Sequence, residues 1–160
     1  MKEYSPDFKK KLLTYFIVFI SIFFLDQFTK ICMLHNIGLN NSSEFLSKIL
    51  KLTVVQNTGG AFSIFKQYPI YFKIIGLANI LIFSYLTFCP TVSFNNIIKI
   101  GCACVLGGTA GNLIDRFFRG GVIDFLDLQF VHFAVFNFAD VFINIGVGLI
   151  LIGWFLTKNK

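Results

Sequence analysis

The chain has 160 residues, 56% of them hydrophobic and 14% charged, with a mean hydropathy of +0.74 and a formal net charge of +6. Soluble domains carry about 25% charged residues, and a core this small has no room for 22 phenylalanines, so the bilayer is the expected solvent. The positive charge does not point to nucleic acid, because Lys and Arg are spread at the ends of apolar runs, as interfacial anchors are, rather than massed together.

Each membrane span takes about 20 residues, so the length allows one integral membrane domain, residues 1–160, of about four helices. Cys32, Cys89, Cys102 and Cys104 show no C-x-x-C spacing, and the last two lie inside an apolar run, so they read as structural thiols. Lys9, Lys10 and Lys11 precede the first apolar stretch, as in a signal peptide. That stretch runs on to Leu25 and meets Asp26-Gln27 without a small-residue cleavage site. It is read as a retained first helix.

The first predicted span covers 12–34. Near its end, Asp26 and Lys30 are four residues apart, acid first, and can pair on one helical face. Such a pair is either a structural tie at the interface or an intramembrane functional group. Residues 36–68 are polar enough to leave the bilayer. Within them Phe45, Leu46, Ile49 and Leu50 fall at helical spacing, which predicts a short surface helix. Leu50 to Val55 then alternates like a strand and runs into Asn57-Thr58-Gly59-Gly60-Ala61-Phe62, where the glycines require a turn or a close backbone approach. Such a strand could belong to an ordinary hairpin or to a small sheet that a peptide pairs with.

The second span, 70–89, stops at Pro90, and the third covers 97–116. In the third, Ala103, Gly107 and Gly111 recur every fourth residue, a stripe that lets membrane helices approach closely. Asn112 and Arg116 share a face near its end, a polar cluster able to position a substrate. Asp115 reads as a tie for the helix terminus. Residues 117–136 form a second excursion, and the fourth span covers 138–156. Lys and Arg divide evenly between the two sides of this topology, so the Lys9–Lys11 run before the first span sets the orientation. It places both termini in the cytoplasm and both excursions outside.

Two aspartates stand out among only eight acidic residues. Asn137, Asp140 and Asn144 share one face at the start of the fourth helix. Asp124 sits in Val122-Ile123-Asp124-Phe125 after Gly120-Gly121; in an extended segment it points opposite Asp127, which is expected to be solvated. Two carboxylates held close in a low dielectric cannot both ionise. The charged one can then deprotonate a water as it attacks a carbonyl, while the neutral one hydrogen-bonds that carbonyl and later protonates the leaving amine. Asp140 has a second reading, as the third helical residue of a capping box on Asn137. Spacing alone does not bring Asp124 to Asp140. His35 and His132 are too few and too distant for a metal site. Ser63 and Lys66 lie in the polar excursion, and no G-x-S-x-G occurs.

Five collinear blocks resemble those of bacterial lipoprotein signal peptidase, the type II signal peptidase. They are Asp26-Gln27-x-Thr29-Lys30, Asn57-x-Gly59-x-Ala61-Phe62-Ser63, Gly107-Gly108-x-x-Gly111-Asn112-x-x-Asp115-Arg116, Val122-Ile123-Asp124-Phe125 and Phe136-Asn137-x-Ala139-Asp140. The departures are Gly60, where Ala is expected, and Ile123, where Val is common. The resemblance implies an all-α membrane protein of four transmembrane helices with a small extracytoplasmic β-cradle. It implies an aspartic endopeptidase of the bacterial inner membrane, its site facing outward. Such an enzyme removes the signal peptide of prolipoproteins just before the diacylglyceryl-modified lipobox cysteine. Asp124 and Asp140 match the catalytic pair. Asp26, Lys30, Asn57, Gly111, Asn112, Arg116 and Asn137 fall in the blocks around the site. No cofactor is implied, a monomer in membrane lipid is expected, and globomycin-type cyclic peptides are the expected inhibitors. The rival readings are a proton relay through Asp26, Asp140 and Arg116, which needs carboxylates near the bilayer midplane, and a scaffold whose glycine stripe binds partner helices.

Overall fold

In hydrocarbon every backbone polar group must be satisfied within the segment itself, so apolar runs of this length become helices. The computed structural model describes residues 6–59, 67–92 and 94–158. Its elements run α1 (Pro6–Asn36), β1 (Ser42–Leu46), β2 (Leu50–Asn57), α2 (Pro69–Phe88), α3 (Asn96–Phe118), β3 (Val122–Leu128) and α4 (Phe138–Lys158). All four helices are long and apolar enough to cross a membrane, at 31, 20, 23 and 21 residues. Each of the stretches 12–34, 70–89, 97–116 and 138–156 overlaps one of them. Gly60, Ala61, Phe62, Ser63 and Lys66 of the glycine turn lie outside the described residues.

The helices are not equivalent. In α3, 78% of the apolar window is buried, against 17% in α1 and α4 and 6% in α2. α3 is therefore the protein core, and the others turn most of their apolar surface outward, as lipid-facing helices do. Small residues make this possible. A Cβ on Gly107 would stand 2.9 Å from Ile22 and from the Phe19 carbonyl of α1, and one on Gly101 would stand 2.7 Å from the Gly146 carbonyl of α4. The predicted stripe thus packs against α1, and a second glycine pair packs α3 against α4. Asn95 fastens the far end: its side chain caps α3 at the Ile98 N–H (2.9 Å) and donates to the Gly153 carbonyl of α4 (2.8 Å).

Gly146→Leu is expected to push α3 and α4 apart, since a Cβ there already meets the Gly101 carbonyl at 2.6 Å. Overpacking of this kind costs about 1–3 kcal/mol. Gly148→Leu, on the same helix with nothing within 4 Å of its Cβ position, is the control. A thermal melt in detergent should fall for the first and hold for the second.

The three strands form one antiparallel sheet in the order β1-β2-β3. Val54, Ile123 and Phe125 form its buried face and pack on Met33, Leu34 and Ile37 at the end of α1 and on Phe138 at the start of α4. The sheet therefore sits where two helices leave the bilayer. Gly120 adopts φ +80, and a Cβ on Gly121 would stand 3.0 Å from the Asn57 carbonyl. The Gly-Gly pair thus lets β3 turn off α3 and close on β2.

Two expectations are corrected. No surface helix forms over 45–50; Phe45 and Leu46 belong to β1, and Lys48 takes φ 61 in the turn to β2. A single isolated helical turn is marginal, whereas the ladder from Ser42 opposite Thr53 to Leu46 opposite Leu50 satisfies the backbone of this segment. Asp127 is half-buried rather than solvated, because Thr53 on the neighbouring strand donates to it at 2.8 Å.

Candidate active site

β3 and the start of α4 bring the two aspartates to one place. Ile123 and Phe125 point into the sheet's apolar face, so alternation turns Asp124 the other way, to the end of α3. Its carboxylate is only 3% exposed. Asn57, paired across the ladder with Val122, donates to Asp124 Oδ2 at 3.2 Å. Asn137 donates to Asp124 Oδ1 at 2.6 Å.

Asn137 is also the N-cap of α4. Its Oδ1 accepts the Asp140 N–H at 3.0 Å, and Asp140 Oδ2 accepts the Asn137 N–H at 3.2 Å. This is a capping box, with an aspartate where Glu is usual. The other oxygen of Asp140 accepts from Asn112 Nδ2 of α3 at 2.8 Å. Asp140 therefore caps α4 with one oxygen while the other faces Asn112 of α3.

Asp124 and Asp140 line the same cavity of about 510 Å³. Its polar lining is Asn57, Asn112, Arg116 and Asn144 beside the two aspartates, and its apolar lining is Phe133–Phe136, Val141 and Ile145. Burial pushes the Asp124 carboxyl up to about 7, and the neighbouring Asp140 charge adds to the rise. The donors Asn57 and Asn137 and the Lys30 charge pull the other way. Arg116 donates to the Asn112 carbonyl at 3.3 Å and lies over the Phe72 ring of α2 at 5.3 Å. Among the described residues its buried Nε has no partner.

Below the cavity Asp26, Lys30 and Asp115 are fully buried. Lys30 Nζ lies 2.8 Å from Asp26 Oδ2, 2.8 Å from Asp115 Oδ2 and 3.0 Å from Asn112 Oδ1. The predicted Asp26–Lys30 pair forms, but as a cross-helix cluster rather than a tie along α1. Gly111 lies against Asp26 so closely that a Cβ would collide with its carboxylate. Arg119 pairs with Asp115 and donates to Gln27 Oε1 at 2.9 Å. All nine predicted site residues thus fall in one connected region: Asp124, Asp140, Asn57, Asn112 and Arg116 on the cavity, with Asp26, Lys30, Gly111 and Asn137 behind them.

The reach of Asp115, which ties α3 to α1 and β3, was not legible in the sequence; Gln27 stood in a motif block without a role, and Arg119 was not singled out. The four-residue spacing of Asp115 and Arg119 was the available signal for that pair. The apolar lining of Phe133–Phe136 and the ring of Phe72 under Arg116 carried none.

The family model for signal peptidase (SPase) II matches residues 18–156. The lipoprotein signal peptidase of Caldicellulosiruptor bescii is 39% identical over 138 residues, 86% of this chain and 88% of that protein. That of Nostoc punctiforme is 38% identical over 134 residues, covering 83% and 84%. That of Lactobacillus johnsonii is 36% identical over 152 residues, covering 95% and 98%. A bacterial membrane enzyme solved by the in meso method at 2.3 Å resolution superposes with a TM-score of 0.83 at 29% identity, over 92% of this chain and 91% of that one.

Proposed function

The chain belongs to the signal peptidase II family, and from that premise we propose that it cleaves the signal peptide from diacylglyceryl-modified prolipoproteins by water activated between Asp124 and Asp140. It is a peptidase and a multi-pass membrane protein. The cut falls just before the lipidated cysteine. The observation that carries the reading is two carboxylates on one cavity whose surroundings differ.

Asp124 is the more buried and is placed to keep the shared proton. Asp140, at a helix N-terminus with two donors on its oxygens, is placed to be the charged partner. Asp140 takes a proton from water as the oxygen attacks the scissile carbonyl carbon. Asp124 hydrogen-bonds the carbonyl oxygen as it gains charge. The tetrahedral species then collapses, the C–N bond breaks, and the leaving nitrogen receives the proton. The two carboxyls carry every proton in this sequence, so it needs no cofactor and no covalent intermediate. Arg116 lines the cavity beside the dyad, so its guanidinium supplies positive charge next to a bound substrate carbonyl. The apolar lining suits acyl or aliphatic groups next to the cleavage site.

The Lys9–Lys11 run before α1 supports an orientation with both termini in the cytoplasm and the cavity at the outer face of the inner membrane. The chain acts as a single membrane domain and a monomer, and globomycin-type cyclic peptides compete for the cavity. A proton relay is the poorer reading. The Asp26 charge is taken up by Lys30, and Asp140 lies in the first turn of α4 rather than near the midplane.

Turnover should fall as pH rises through about 7, where Asp124 loses its proton. Stability follows the same group. Its folded value of about 7 lies above the 3.8 of an unperturbed Asp, so the folded state binds more protons between those values and stability drops as pH rises across that window. Asp124→Asn should therefore melt higher than the parent above pH 7, with the gap closing towards pH 4. An unchanged gap across that range would remove the buried carboxyl as its cause.

The direct test of function mixes the purified protein in detergent with a diacylglyceryl-modified prolipoprotein and reads product masses. Cleavage just before the modified cysteine is expected, with the unmodified precursor left intact. Equal cutting of both precursors, or of neither, contradicts the reading.

A further inference from the structure

Behind the cavity lies a group of charges that the hydrolysis step does not use. An ammonium carries three protons, and those of Lys30 have three separate acceptors: Asp26, Asp115 and the oxygen of Asn112. Each acceptor holds something else as well. Asp26 Oδ1 accepts the N–H of Ala139 at 3.0 Å, the residue before Asp140. Asp115 Oδ2 accepts the N–H of Ile123 at 3.2 Å, the residue before Asp124. Asn112 Oδ1 also accepts from Asn137 at 3.0 Å, so its Nδ2 must face Asp140. Turning that amide over would set its NH2 against two donors and its oxygen against a carboxylate.

We propose that Lys30 is a positioning residue for the dyad, acting through Asp26, Asp115 and above all the Asn112 amide that it orients towards Asp140. This rests on the reading of Asp124 and Asp140 as the hydrolytic pair. Lys30 touches no substrate; one buried cation grips the chain next to both aspartates and fixes a donor on one of them. A pair whose only task was to join α1 to α3 would have no reason to end on both of these backbone N–H groups. Small displacements of reacting groups are expensive: about 1 Å can cost about a hundredfold in rate.

The charges also supply the test. Asp26 and Asp115 balance Lys30 and Arg119, so Lys30→Met combined with Asp26→Asn removes one charge of each sign and strands none. The amide introduced at position 26 keeps an oxygen for the Ala139 N–H. Purified in detergent and assayed on diacylglyceryl-modified prolipoprotein, this double variant should keep its fold, as read by thermal melting, and keep its KM. Its kcat should drop about tenfold to a hundredfold. The same pair of changes in an Asn112→Ala background should cost at most a fewfold more, because the route through the amide is already gone. A folded double variant with the parent's kcat, or losses that multiply fully with Asn112→Ala, overturns the inference. Should the double variant fail to fold, Lys30→Leu with Asp26→Asn, which likewise leaves Asp115 paired with Arg119, serves in its place under the same criteria. Asp140→Asn runs alongside: if it turns over like the parent, the dyad reading itself fails and the inference with it. If it is dead while the balanced variant is unimpaired, only the role of Lys30 is refuted.

Discussion

Asp140→Asn is expected to leave a folded protein that cleaves prolipoprotein about 10²–10⁴-fold more slowly, and Asp124→Asn to do the same, since each removes one partner in proton transfer. The substitutions are nearly isosteric, so the loss separates chemistry from folding. Their structural costs differ in a way the hydrogen bonds define. Asp140 accepts from Asn112 on one oxygen and from the Asn137 N–H on the other. An amide there must turn an NH2 towards one of these donors, which weakens the cap of α4 by about 0.5–2 kcal/mol. Asp124 receives Asn57 and Asn137, and an amide again meets one donor. It also sheds the cost of a buried carboxylate at neutral pH, so Asp124→Asn should be the more stable of the two. Circular dichroism and melting in detergent, beside the cleavage assay, read both quantities.

Asp115→Ala is expected to be strongly destabilising. It strips Lys30 of one acid, leaves Arg119 without an acid and takes the acceptor from the Ile123 N–H. Breaking a fully buried pair from one side costs about 3–5 kcal/mol, against a total stability of about 5–15 kcal/mol for a typical domain. The protein should accumulate poorly, and what is recovered should melt far below the parent. Asp115→Asn, which keeps an oxygen for Ile123, should be milder. The Asp7–Lys11 pair is the contrast: it has the same four-residue spacing but is largely exposed, and Asp7→Ala should leave the melting point where it was. Equal effects at Asp7 and Asp115 would mean that burial is not what gives the cluster its weight.

The local features were legible because their physics is local. Hydropathy and length locate the four helices, and Pro90 marks the end of α2. Four-residue spacing pairs Asp26 with Lys30, and Asn137-x-x-Asp140 spells out a cap. Alternation separates Asp124 from Asp127. What escaped depends on partners far along the chain. The segment 45–50 has helical spacing of its own, and only the neighbouring β2 makes β1 a strand. Asp127 looked solvated because its partner, Thr53, lies on another strand. Asp115 looked like a terminal tie because nothing near it in sequence shows that Lys30 and Ile123 converge on it. The approach of Asp124 to Asp140 belongs to the same class. Spacing left it open, and only the collinear motif blocks suggested it.

The central claim is that water, not a carboxylate, attacks the scissile bond. A single turnover in heavy-oxygen water, with excess enzyme over lipidated precursor, tests it most directly. Direct attack predicts one heavy oxygen in the new carboxylate of the released signal peptide and none in the fragments of the enzyme bearing Asp124 and Asp140. Heavy oxygen found in either aspartate after that turnover would mean that it had bonded to the substrate, and would contradict the account.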